Sequence, residues 1–137
     1  MKKIFILVLT NFIFSASVSQ SDAINVAENF FNYKNDPRES TFSIESIELF
    51  SIEDRSIFYV IELDPKGFIL ISHDNLIRPV LAYSFEEKFR FDNIPTNINY
   101  IFNLYSKQIT EQQESRNDPD NEIANEWIKF SREIEYD

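Results

Sequence analysis

The sequence predicts an α+β fold, an antiparallel four- to five-stranded sheet with helices packed on one face. Three observations point there. Short apolar runs with strand-like alternation cluster between Phe42 and Asp92, and helix-period stripes flank them on both sides. Between two of the runs, Asp64-Pro65-Lys66-Gly67 has the composition of a hairpin turn.

At the N-terminus, Lys2 and Lys3 precede an apolar run from Ile4 to Phe14, shorter than the ~20 residues a bilayer span takes. Small residues follow, and Ser17-Val18-Ser19 fits a cleavage site ahead of Gln20. Residues 1–19 therefore read as a secretory signal peptide of bacterial type, and residues 20–137 as a single domain. The expected destination is the periplasm or the exterior. With no cysteine there is no thiol to carry a lipid anchor. Loss of the two lysines would take the formal charge from −10 to −12.

Ser21 and Asp22 offer a cap before Ala23, Val26, Ala27, Phe30 and Phe31, whose spacing sets a first helix near 22–33. Asn35-Asp36-Pro37 ends it, because proline pushes its predecessor out of helical geometry. From Phe42 to Phe50 the apolar residues alternate, but their parity switches near Glu45-Ser46, which predicts a one-residue bulge. Strands at Ile57–Leu63 and Phe68–Ser72 flank the hairpin turn, where Pro65 suits a type I turn and Gly67 the left-handed position after it. Val80–Ser84 and Lys88–Asp92 read as two further strands.

Ile94-Pro95-Thr96-Asn97 opens a second helix, capped by Thr96 or Asn97, with Ile98, Ile101, Phe102, Tyr105 and Ile109 as its apolar stripe. Thr110–Asn117 is polar and reads as a fraying end or linker. Asp118-Pro119-Asp120 starts a third helix, with Asp at the cap, Pro in the first turn, and Ile123, Trp127, Phe130 and Ile134 on one face.

Composition removes most chemistry. The 137 residues include no cysteine and one histidine, His73, so there is no thiol nucleophile, no Cys-containing zinc site and no multi-histidine metal site. Ser72, His73 and Asp74 are the residue types of a catalytic triad. Consecutive strand residues, however, point to alternate faces and do not converge on one atom. A single glycine argues against a phosphate-cradling loop. A formal charge of −10 repels nucleic-acid phosphates and suits a basic partner cleft. Asp64, Asp74 and Asp92 lack the 1-3-5 spacing of a calcium loop. His73 reads as a surface residue at a strand end, and Trp127 as core packing. The expectation is a protein that is not an enzyme, needs no cofactor or metal, binds no nucleic acid, leaves the membrane after signal cleavage, and is a monomer when free.

Gly67-Phe68-Ile69-Leu70-Ile71-Ser72, then Asp74, Pro79-Val80-Leu81, Tyr83-Ser84 and Phe91-Asp92, resemble in order and spacing the prodomain of the streptopain family of secreted papain-like cysteine peptidases. Tyr105 with Gln108-Ile109, and Ala27, Phe30 and Phe31 of the first helix, fit the same pattern, while His73 and Ala82 stand where the family often has Gly. In that family the prodomain folds against its own catalytic domain and silences it. The resemblance implies a free-standing, non-covalent inhibitor that blocks the active-site cleft of a streptopain-like cysteine peptidase. In the family's zymogen an Asn just ahead of the second helix displaces the catalytic histidine. The resemblance places Asn97 at that position, with Thr96, Pro95 and Asn93 as further contacts in an interface centred on residues 90–98. An amide offers two donors and an acceptor for holding an imidazole away, and is a poor electrophile. Without the resemblance, Asn97 reads as a helix cap. Two alternatives stay open: an in-trans folding assistant for such a peptidase, and an unrelated secreted acidic binding module.

Overall fold

Two strands set the architecture. Residues 57–61, Ile-Phe-Tyr-Val-Ile, are apolar at every position, as are Ile69, Leu70 and Ile71. Successive strand residues point to opposite faces, so such strands need cover on both sides. The computed structural model, which describes residues 17–94, 96–115 and 118–132, has that cover. The elements run α1 (Gln20–Lys34), β1 (Ser43–Ile52), β2 (Arg55–Asp64), β3 (Phe68–Ser72), β4 (Val80–Ser84), a 3-10 turn (Phe91–Asn93), α2 (Thr96–Ser115) and α3 (Asn121–Ser131). The strands form one antiparallel sheet in the order β1-β2-β3-β4.

One core lies between the sheet and α1 with α3: Ala23, Val26, Ala27, Phe30, Phe31 and Phe130 pack on Tyr59, Ile61, Leu63, Ile69 and Ile71. The other lies on the opposite face, where Phe102 and Ile109 of α2 meet Ile57, Phe58, Val60 and Leu70. The α+β class and the antiparallel sheet are as expected. The helices, however, occupy both faces and not one, because β2 and β3 are apolar on both.

The bulge predicted in β1 is present as a register shift between Ile44 and Ser46, and a second falls between Phe50 and Ser51. Glu53 and Asp54, both at positive φ (49° and 61°), close the β1–β2 hairpin. The Asp64–Pro65 peptide is cis. Gly67 does take a positive φ, 104°, and a Cβ there would lie 2.7 Å from the Ser84 carbonyl oxygen and 2.9 Å from Phe85 Cα. The expected fifth strand, Lys88–Asp92, does not form. Its Phe89 N–H is taken by the Glu62 carboxylate at 3.1 Å instead of by a ladder partner, and Phe91–Asn93 closes a 3-10 turn.

Helix ends differ by short steps. Ser19, not Ser21 or Asp22, caps α1, accepting from the Asp22 N–H at 3.1 Å. Ser17–Ser19, read from sequence as part of the leader, are thus built into the fold, with Val18 buried. α2 continues to Ser115 through most of the segment expected to fray, whose last two residues lie outside the described ones. Asp120 caps α3. Asn29 donates to the Phe130 carbonyl at 2.7 Å and Asn25 to that of Ser131 at 3.1 Å, tying α3 to α1. The Trp127 indole N–H donates to the Ile77 carbonyl at 2.8 Å, consistent with the packing role expected for it. Ile134 lies outside the described residues.

Candidate functional site

Between β4 and α2 the chain is pinned by side chains. Lys88 Nζ donates to the Leu63 carbonyl at 2.8 Å and pairs with Glu45, which raises the ammonium pKa. The Phe89 ring meets Phe68 edge-on at 5.3 Å and Phe91 at 4.9 Å, and Phe91 stacks on Phe50 at 5.9 Å. Beneath the segment sits Glu62. Burial pushes its carboxyl pKa up, against the pull of the Phe89 N–H and the Lys88 charge. Its Oε2 is buried with no hydrogen-bond partner among the described residues.

Beyond these anchors the chain faces solvent. Asn93, Thr96 and Asn97 are all exposed, and Pro95 lies outside the described residues. Because α2 already begins at Thr96, both Thr96 and Asn97 are helical residues and neither is the cap, which corrects the capping expectation. The Asn97 amide makes no hydrogen bond to another described residue. The first N–H groups of any α-helix lack intrahelical acceptors. The turn therefore presents an uncommitted side-chain amide beside main-chain donors.

α2 holds this turn rigidly. Phe102 is buried against Phe58 (4.7 Å) and Phe50 (5.7 Å), and the Tyr105 hydroxyl donates to the Leu81 carbonyl at 3.4 Å. Its other flank carries exposed apolar groups: Tyr100, Ile101 and Leu104 are 65%, 38% and 45% accessible. Next to the turn lies a groove of about 420 Å³, lined by Leu70, Leu81 and Ala82 of the sheet, Phe89, Asn93 and Ile94 of the connecting segment, and Ile98 and Ile101 of α2. Ile101, expected in the apolar stripe of α2, is exposed and lines this groove, which the sequence alone does not reveal. The signal available was the surplus of apolar residues on α2 beyond one face.

The Ser72-His73-Asp74 run is committed to structure. Ser72 Oγ donates to the Asp74 main-chain carbonyl at 2.7 Å. The Asp74 carboxylate accepts from the Leu76 N–H at 2.9 Å and the Gln113 amide at 2.8 Å. His73 is half-buried with its ring 5.6 Å from Tyr59, and burial holds its pKa below the usual 6.5 against the upward pull of Asp74. These three side chains do not form a proton relay. Among the described residues no three His, Asp or Glu side chains gather as a metal site.

The pinned segment, the exposed Asn97 and the apolar groove lie side by side on one surface. Residues 15–109 match the model of the Spi protease inhibitor family, and the chain belongs to that family. Its partner is accordingly a protease. Nothing among the curated proteins or the solved structures matches the chain.

Proposed function

We propose that the protein is a secreted inhibitor of a streptopain-like cysteine peptidase, acting without a covalent step. The turn Asn93–Asn97 enters the active-site cleft, and the Asn97 amide hydrogen-bonds the catalytic histidine away from its working position. Pro95, Thr96 and Asn93 are further contacts, while the groove beside Asn93 and the apolar flank of α2 supply contact area. A standard interface of about 800 Å² per partner is within reach of such a surface. The observation that carries this reading is the exposed, uncommitted Asn97 amide in the first turn of a helix anchored at Phe102. Residues lining the groove extend the same surface, and groups held on a rigid scaffold lose little freedom on binding.

The test is inhibition of an activated streptopain-type peptidase by the chain without its leader. Turnover should fall at micromolar inhibitor, and unchanged turnover would sink the reading. Asn97→Ala should weaken inhibition about 10- to 100-fold, the loss of hydrogen bonds to an imidazole, with the melting temperature unchanged. Equal inhibition by the variant would remove Asn97 from the mechanism while leaving the partner intact.

A further inference from the structure

We infer that export cuts the chain between Ser17 and Val18, making Val18 the first residue of the working protein. Signal peptidases read small residues at the first and third positions before the cut. Ser17 and Ser15 hold those positions for the Ser17–Val18 bond, and Ser19 and Ser17 hold them for the Ser19–Gln20 bond. By that rule the two bonds are equal. Their products are not.

A chain beginning at Gln20 lacks three pieces of the fold. The Val18 side chain, 6% accessible, is part of the core under α1. The Val18 N–H donates to the His73 carbonyl at 2.7 Å, and the Val18 carbonyl accepts from the Tyr59 hydroxyl at 2.7 Å. Removing Val18 leaves a buried hydroxyl without its acceptor, the costly direction in which to break a hydrogen bond. Ser19 closes the helix: its Oγ accepts from Asp22, and its carbonyl accepts the first helical bond, from Ala23 at 2.9 Å. The new ammonium would also fall on Gln20, the first residue of α1, at the positive end of the helix dipole. The family match likewise begins ahead of these residues.

A chain beginning at Val18 keeps all of them and gives up the bridge of Ser17 to Asp74. Hydrolysis breaks the Ser17–Val18 C–N bond. The hydroxyl of water joins the Ser17 carbonyl carbon and its proton goes to the Val18 nitrogen. The new Ser17 carboxyl then gives up a proton and the amine takes one, leaving a carboxylate and an ammonium at neutral pH. That nitrogen retains the donor it gives to the His73 carbonyl, now charged, and charged donors bond more strongly. The cut thus finishes the N-terminal anchor of α1 and depends on no assumption about the peptidase inhibited.

The test is to express the full chain in a host that exports through a signal peptidase, then to read the first residue of the exported form by N-terminal sequencing and intact mass. Val18 is the expected result. A first residue of Gln20, any other first residue, or a retained leader overturns the inference. Chains made to begin at Val18 and at Gln20 give a second reading. The Gln20 chain should melt about 10 °C or more below the Val18 chain, and equal melting temperatures would contradict the argument.

Discussion

Gly67→Ala tests whether glycine at the head of the Gly-Phe-aliphatic strand is a packing requirement. Two costs arise in the folded state. A backbone held at φ 104° is sparsely populated for any residue with a Cβ, a strain of about 1–3 kcal/mol. The new methyl would also stand 2.7 Å from the Ser84 carbonyl oxygen and 2.9 Å from Phe85 Cα. Both obstacles are main chain, so β4 itself must shift, at the usual overpacking cost of about 1–3 kcal/mol. One movement of the turn relieves part of each, so the two do not add fully. The expected loss is about 2–5 kcal/mol, large against the 5–15 kcal/mol typical of a domain. Urea unfolding reads it directly as a midpoint lowered by about 1–3 M with an unchanged slope. Lys66→Ala is the matched control. It removes only an exposed pair with Glu86 and should stay within about 0.5 kcal/mol of the parent. Should Gly67→Ala unfold within that same margin, the close approach to β4 is not what requires glycine here.

Asn29→Ala strips the Phe130 carbonyl of its 2.7 Å donor at the end of α3 and should cost about 1–3 kcal/mol. Emission of the single tryptophan, Trp127 on the same helix, should then shift at lower urea than the circular dichroism of the sheet. Coincident transitions at the parent midpoint would contradict that. His73 gives the pH dependence. Its folded pKa lies below 6.5, so the unfolded chain binds more protons near that value and stability is lost as pH falls below 6.5. The single imidazole should titrate below 6.5 by NMR, and His73→Gln should flatten the acid limb. A titration midpoint at or above 6.5 would refute the burial argument.

Much of the fold was legible because it rests on local rules. The helical stripe of Ala23–Phe31, the parity switch at Glu45-Ser46 and the turn glycine each depend on residues close in sequence. They appear as α1, the β1 register shift and the positive φ of Gly67. The misread elements depend on distant partners. Lys88–Asp92 alternates like a strand, yet the half-buried carboxylate of Glu62 takes the Phe89 N–H. Local rules alone make Thr96 or Asn97 a helix cap, whereas α2 begins at Thr96 and leaves Asn97 exposed within its first turn.

The sequence by itself determined the α+β class, the strand set of the four-stranded sheet and the order of its motifs, because alternation, helical period and turn chemistry are written residue by residue. It also carried the sign that both sheet faces are covered, in the unbroken apolar runs of β2 and β3, though helix sidedness was read otherwise. Tertiary structure alone decided which helix covers which face, that Val18 and Ser19 belong to the folded unit, and that an apolar groove opens beside Asn93. Those features arise where segments far apart in the chain meet, and no window of neighbouring residues contains both sides of such a contact.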